Sequence, residues 1–409
     1  MFHRRPSSLN EVFGITSSIP QYTYVDRSNL DQQFKYFVNN EKHIVIHGSS
    51  KQGKTVLRRK NLPENSYVVA QCRANSSLEQ LYTEILRKLG VAVPVSFSKG
   101  KTLDVEGQGG LPNVAEIAGS WESNLSTNYK SVGTGSDSLG YISEEIKKKN
   151  KRVIIEDFHY LSEEEKRSFA FDLKALWDNS VFLIIVGVWA EDNLLLYYNG
   201  DLSGRVNEID IRWTDDELEQ VLLKGEKTLN INFSDQVRRA VIRDSSQNIG
   251  LLQRITEKLC FASGIVGYQT RRKVINNINA LANCRKKICE EQSSRYRQFI
   301  EGISYGFRSN GSTSVYQQII RACIDDCSDS ELCGGIHRDF LYEKIKKFDP
   351  NLPGRNLTNA LRRLNKLQLD KHISPLVFSY NPNLKKVQLV DRELLFYRRY
   401  GNPSWPWKE

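Results

Sequence analysis

Eight consecutive residues of this 409-residue chain have the types and spacing to hold phosphate: Gly48-Ser49-Ser50-Lys51-Gln52-Gly53-Lys54-Thr55. The two glycines let backbone amides converge on an anion at the start of a helix. Lys54 can then reach the β- and γ-phosphates, and Thr55 can offer its hydroxyl to Mg²⁺. The surroundings fit this P-loop, or Walker A, pattern. His43-Ile44-Val45-Ile46-His47 reads as a short buried strand entering the loop, and Val56-Leu57-Arg58-Arg59 continues as helix. Residues 48–56 are therefore the candidate ATP site.

A second strand with chemistry at its end is Val153-Ile154-Ile155-Glu156-Asp157. Paired acids there permit two roles: one holds Mg²⁺ through water, and the other polarises an attacking water. Arg152 stands where an apolar residue is usual. The customary order, metal-binding Asp then catalytic Glu, is reversed, so the order of roles within Glu156-Asp157 is open. Alternatively, Asp157 caps the following turn.

The elements around these residues alternate. Strands are expected at 66–71, 181–186 and 206–211, and helices at 30–38, 78–89 and 163–177. Apolar strands alternating with helices predict an α/β fold with a parallel sheet covered on both faces. Residues 98–138, rich in Gly, Ser and Asn, read as an inserted hairpin or mobile loop. From Thr214 to Phe261 the pattern is helical. Thr214 with Glu217 forms a capping box, and Ser234 and Asn248 are N-cap candidates. Residues 270–297 read as helix and basic connector, and Ser309-Asn310-Gly311-Ser312 as a linker. Beyond them come helices around Ile319 and Leu341 and from Asn356 to Leu367, then strands at 376–380 and 386–390. Three helices followed by a hairpin is the order of a winged helix. The expected domains are an N-terminal segment (1–40), a P-loop ATPase core (41–212), a helical lid with basic connector (213–310) and a winged-helix domain (311–409).

Composition narrows the setting. Hydrophobic residues make up 39% and charged residues 26%, enough to build a core. With no run of about 18 apolar residues, no membrane span is expected. Seven cysteines without a Cys-x-x-Cys pair fit a reducing compartment, so a cytoplasmic location is expected. Cys323, Cys327, Cys333 and His337 lack the spacing of common zinc sites and read as buried thiols. The net charge of +10 is uneven: residues 268–409 hold 25 Lys+Arg against 14 Asp+Glu, whereas the preceding residues balance 33 against 34. That end is either a polyanion-binding surface or a solvated basic face.

The Walker A run, Ile155-Glu156-Asp157-Phe158-His159-Tyr160-Leu161, Leu202-Ser203-Gly204-Arg205-Val206 and Asn248-Ile249-Gly250-Leu251-Leu252-Gln253 resemble the AAA+ and STAND ATPases. The likeness is to the origin-recognition initiators and bacterial transposition ATPases, over roughly Tyr24 to Phe261. It implies a homo-oligomer that binds ATP and Mg²⁺. It casts Arg205 as the arginine reaching a neighbour's γ-phosphate, against the alternative of an ordinary surface arginine. It places Arg27 near the adenine, or else simply at a helix start, and Arg254 near a second sensor. A polar sensor is missing at Gly187-Val188-Trp189, where Asn193 is the nearest candidate, so hydrolysis is expected to be slow.

In the terminal module, Arg355, Arg362, Arg363 and Lys366, with Lys385 and Lys386 of the wing, are candidates for contact with duplex DNA. Leu357, Leu361 and Leu364 are core. Two outputs fit: a nucleotide switch assembling on or near DNA, or a STAND-type signalling ATPase in antiviral defence controlling a separately encoded effector protein.

Overall fold

The computed structural model describes residues 7–91 and 136–407, apart from positions 17, 28, 75 and 404 and the stretches 190–191 and 305–313. Most of the 98–138 insertion and the linker expected at 309–312 lie outside the described residues.

A five-stranded parallel sheet forms the core, from β1 (His43–His47), β2 (Tyr67–Gln71), β3 (Arg152–Glu156), β4 (Ile184–Val186) and β5 (Val206–Asp210), in the order β2-β3-β4-β1-β5. β1, β3 and β4 bury Ile and Val on both faces, as expected of a parallel sheet between helical layers. β4 is shorter than expected. Val181 and Leu183 are buried but lie outside the strand, although the Leu183 carbonyl still accepts from the Ile44 amide at 2.9 Å. Arg152 is accommodated at the start of β3, where it donates to the carbonyls of Phe182 (3.1 Å) and Val38 (2.6 Å).

The lid is helical over Asp215–Leu229, Asp235–Ser245 and Ile249–Ala262, with a small parallel pair, β6 (Ile231–Phe233) and β7 (Lys273–Ile275), beside it. Thr214 and Glu217 form the expected capping box, and Ser234 and Asn248 cap their helices. The N-terminal segment packs into the lid: helix Leu9–Phe13 buries Leu9, Val12 and Phe13 against it.

The stretch read as helix and basic connector, 270–297, holds β7 and then most of one helix, Ile278–Ser304, about 40 Å long. Leu281, Cys284, Ile288, Gln292, Tyr296, Phe299 and Ile303 make a buried stripe at three- and four-residue spacing, with the basic residues outside it. The stripe joins the lid to the C-terminal module in one apolar core: Phe299 meets Phe378 at 6.0 Å, and Tyr296 stacks on Tyr397 at 4.7 Å.

The C-terminal module contains helices Val315–Asp325, Asp329–Gly334, Arg338–Lys346, Gly354–Asp370 and Glu393–Tyr400. Its antiparallel sheet has the order β8-β10-β9, from β8 (Ile336–His337), β9 (Phe378–Asn381) and β10 (Lys386–Leu389). The two-residue β8 and the last helix are additions to the sequence expectation. Cys323 and Cys327 are buried in the apolar core. No helix among the described residues is long and apolar enough to cross a membrane.

Gly225 lies in the first lid helix, where a Cβ would fall 2.0 Å from Cζ of the fully buried Phe13. Alanine ordinarily stabilises a helix interior by about 1 kcal/mol over glycine. Here overpacking at about 1–3 kcal/mol should win. Gly225→Ala is expected to lower the thermal midpoint. In a Phe13→Ala background the same change should instead raise it.

Candidate functional site

The Walker A loop follows directly from β1. The chain turns at Gly48, at φ +133°, where a Cβ would lie 2.6 Å from the Ile211 carbonyl oxygen. No side chain fits there. Gly53, at φ +86°, makes the left-handed entry into helix Lys54–Asn61. The opening amides of that helix have no intrahelical partner and point toward the loop.

Lys54 lies inside this cradle, its ammonium donating to the carbonyls of Gly48 (3.1 Å) and Ser49 (2.6 Å). Burial pushes its pKa down to about 8, opposed by Asp157 and Asp210. The loop thus concentrates amide dipoles and one desolvated cation, the electrostatics of an anion site.

The two acids at the end of β3 have different surroundings. Glu156 accepts from Arg58 at 2.8 Å, an arginine 3% exposed whose guanidinium covers the Tyr67 ring at 4.8 Å. Asp157 is in the left-handed region, at φ +59°, and makes no side-chain cap to the turn that follows it. Its carboxylate accepts instead from Gln71 of β2 at 2.7 Å. Burial raises the Asp157 pKa above the usual carboxylate range; the Gln71 hydrogen bond opposes this, Glu156 adds to it and Lys54 again opposes it. Asp157 is thus the acid that shares a field with Lys54, and Glu156 is held by an arginine.

Beside the loop is a largely apolar cavity of about 440 Å³, bordered by Ile15, Tyr24, Val25, Val56, Trp213 and Ile249. That size falls within the range of small-ligand pockets. Arg27 lines it, stacked on Trp213 at 4.2 Å and donating to the Gln52 carbonyl at 3.3 Å. Trp213 donates to the same carbonyl at 3.1 Å. Arg254 also borders the cavity, but its guanidinium is engaged by Glu291 and lies 3.8 Å from Glu393.

Across the loop a cleft of about 90 Å³ runs between Gly48, Ser49 and Asp210 on one side and Cys333, Gln388 and Arg392 of the C-terminal module on the other. The module grips the loop. Lys51 pairs with Glu393 at 2.7 Å, and the Ser50 amide donates to the Val390 carbonyl at 3.4 Å. The lid grips it as well: Asn248 donates to the Ser50 carbonyl at 3.2 Å while capping its own helix, and Gln52 donates to the Gln247 carbonyl at 3.0 Å.

Arg205 is elsewhere. It precedes β5, at the sheet edge opposite the end of β1 from which the loop leaves, and stacks on Trp177 at 4.7 Å. It does not join this chain's own site. Asn193 does not supply a sensor side chain at the end of β4. It begins a short helix, and its amide donates to Glu208 at 2.7 Å.

In the C-terminal module, Arg355, Arg362 and Lys366 fall within about 40° of one another around helix Gly354–Asp370. All three are exposed, opposite the buried Leu357, Leu361 and Leu364. Arg363 is exposed on the flank that faces Tyr316, Lys385 is exposed in the β9–β10 turn, and Lys386 is half-buried at the start of β10.

Lys51 with Glu393, Arg392, Gln71, Trp213 and the loop contact of Asn248 escaped sequence reasoning. Asn248 was legible only as a helix cap. The others depend on partners distant in sequence.

No protein-family model matches the chain, and no curated protein is significantly similar to it. Among solved structures, a Walker-type ATPase of Pyrococcus abyssi aligns over 95% of this chain and 99% of its own, with a TM-score of 0.53 at 14% identity. A STAND protein with a tetratricopeptide repeat sensor from Pyrococcus horikoshii aligns over 93% of this chain and 42% of its own (TM-score 0.37, 13% identity). AMPPCP-bound DnaA from Aquifex aeolicus aligns over 85% and 92% (TM-score 0.33, 12% identity). The likeness to the Pyrococcus abyssi protein is one of fold: the chain is built on the Walker-type P-loop ATPase architecture.

Proposed function

We propose that the chain binds ATP with Mg²⁺, hydrolyses it slowly, and uses the bound nucleotide as a switch on a C-terminal winged helix that engages duplex DNA. The observation that carries this is the position of the Walker A loop, with an apolar cavity on one side and the C-terminal module on the other. The base would enter the cavity beside Tyr24, Arg27 and Trp213, and the triphosphate would lie along residues 48–55, with the Val56 side chain at the cavity wall.

Thr55, Asp157 and, through water, Glu156 would be the oxygen donors for a magnesium ion bound at the phosphates; such an ion would neutralise charge developing there. Lys54 would exchange the Gly48 and Ser49 carbonyls for phosphate oxygens. Asp157, with its raised pKa, suits the task of orienting and deprotonating water. Glu156, held by Arg58, suits a supporting role. Slow turnover follows from Gly187-Val188-Trp189 at the sensor position and from the engagement of Arg254 by acids. Arg205 would act in trans, on the nucleotide of a neighbouring copy in a homo-oligomer.

The helix order and the β8-β10-β9 sheet support the winged-helix assignment, and the exposed Arg355, Arg362 and Lys366 stripe supports DNA as its partner. The turn after β9 borders a cleft shared with His159, Lys166 and Tyr197 of the ATPase core. Nucleotide-driven release would present that face. The buried Glu393 contact to Lys51 equally favours a second role, a STAND-type switch in defence that frees a separately encoded effector. Such a protein would copurify with its partner and respond to an infection-derived trigger.

Free Lys54 loses its proton above pH about 8, and bound phosphate raises that pKa. Affinity for a fully ionised ATP analogue should therefore be flat below about pH 8 and fall toward tenfold per unit above it. Calorimetry across that range checks this, and a flat profile would remove Lys54 from the phosphates. Asp157→Asn should retain nucleotide binding and lower turnover by about 100-fold or more in a phosphate-release assay, with Glu156→Gln milder. Equal losses would undo the assignment of roles. Duplex binding by the intact chain should weaken steeply with salt. Combining Arg355→Ala, Arg362→Ala and Lys366→Ala should make the log–log salt slope shallower by about 2–3. An unchanged slope would move the DNA contact off this helix.

A further inference from the structure

A separate cluster of ligating side chains lies at the end of β1, on the β5 side. β4 separates this strand from β3, which carries Glu156. His47 is fully buried, its ring stacked on Trp189 at 5.6 Å and 8°. Neither of its ring nitrogens makes a well-formed hydrogen bond, although the Trp189 backbone lies beside the ring. Nε2 faces two carboxylates, Asp192 Oδ1 at 3.5 Å and Glu208 Oε2 at 3.9 Å, and the three donor atoms fall within 4.8 Å of one another. Glu208 is held in place by the Asn193 amide at 2.7 Å, while its Oε1 is buried without a partner. On the other side of the ring, Nδ1 faces Asp210 Oδ1 at 3.9 Å.

A purely structural histidine in this position would make hydrogen bonds of about 2.7–3.2 Å, since an unpaired buried polar group costs about 1–3 kcal/mol. The separations here are too long for that. They are close to the spacing of roughly 3.3 Å between ligand atoms around a tetrahedral zinc ion with bonds near 2.0–2.1 Å. We infer that His47, Asp192 and Glu208 bind a zinc-like divalent transition-metal ion, with Asp210 orienting the imidazole through its second nitrogen. The pairing of a carboxylate with the distal nitrogen of a metal-bound histidine is a common outer-shell arrangement.

An imidazole donor favours zinc-type ions over Mg²⁺ and Ca²⁺, which take oxygen ligands, so this site is chemically distinct from the one at the phosphates. Asp192, with its side chain 64% exposed, forms the rim and the entry. The ion would tie the end of β1 to β5 and to the segment after β4, one residue before Gly48. None of this requires nucleotide binding.

The full-length chain, stripped with a chelator and free of nucleotide and magnesium, is titrated with Zn²⁺ against a chromophoric chelator. A parallel titration with Co²⁺ reads the visible spectrum. The expected result is one equivalent of Zn²⁺ and tetrahedral-type Co²⁺ bands. Asp192→Asn and Glu208→Gln should each weaken binding by about 100-fold or more. Asp192 is exposed, so its substitution should leave the circular dichroism spectrum unchanged. Cys333→Ser and His337→Gln, control substitutions at the other candidate ligand cluster, should bind as the unaltered chain does. Absence of stoichiometric zinc, or binding lost in Cys333→Ser or His337→Gln but kept in Asp192→Asn, would overturn the site.

Discussion

A buried ammonium group sets the terms for everything around it. Lys54 is 9% exposed, held by two carbonyls of its own loop and within the field of Asp157 and Asp210. The Gly48 and Ser49 carbonyls face Lys54, whereas those of Ser50, Lys51 and Gln52 are where the other parts of the molecule attach. The Gln52 carbonyl accepts from Trp213 and Arg27, that of Ser50 from Asn248, and that of Lys51 from the Gly250 amide. Lid and cavity wall are thus hydrogen-bonded to the back of the cradle, so a change in its shape reaches both.

The C-terminal module is coupled through charge. Glu393, 1% exposed, is shared by Lys51 of the loop, Gln292 of the long helix and, more distantly, Arg254 of the lid. Next to it, Asp391 accepts from Arg295 at 2.6 Å and Tyr296 at 2.8 Å. A buried acid cannot lose its cation cheaply, because the charge left behind is desolvated. If phosphate drew Lys51 away, Glu393 would need a new partner or water, and the domain contact would weaken. That is how a loop of eight residues could control a module more than 250 residues away in sequence.

Local features were legible and long-range ones were not. β1, β3 and the loop between strand and helix follow from apolar runs ending at Gly or paired acids. The caps at Thr214, Ser234 and Asn248 follow from side chains that bond within three residues. The leucine stripe of helix Gly354–Asp370 follows from helical periodicity. A helix was legible within 270–297, but not the full length of Ile278–Ser304 or its bridging role, because the packing partners of its buried stripe lie in another module. The alternative reading of Asp157 as a turn cap does not hold, because its carboxylate accepts from Gln71 on the neighbouring strand. The bond between Lys51 and Glu393 spans 342 residues, and nothing local to either residue announces it. The cavity wall is likewise drawn from four separate segments, around Tyr24, Val56, Trp213 and Ile249.

The most direct measurement is the equilibrium affinity of the intact chain for a non-hydrolysable ATP analogue, compared between the unaltered protein and Lys54→Ala. A buried charge-assisted contact to phosphate implies a loss of about 10- to 100-fold. Affinity unchanged by the substitution would mean that the triphosphate does not lie against Lys54, and that the loop between Gly48 and Thr55 is not a nucleotide site.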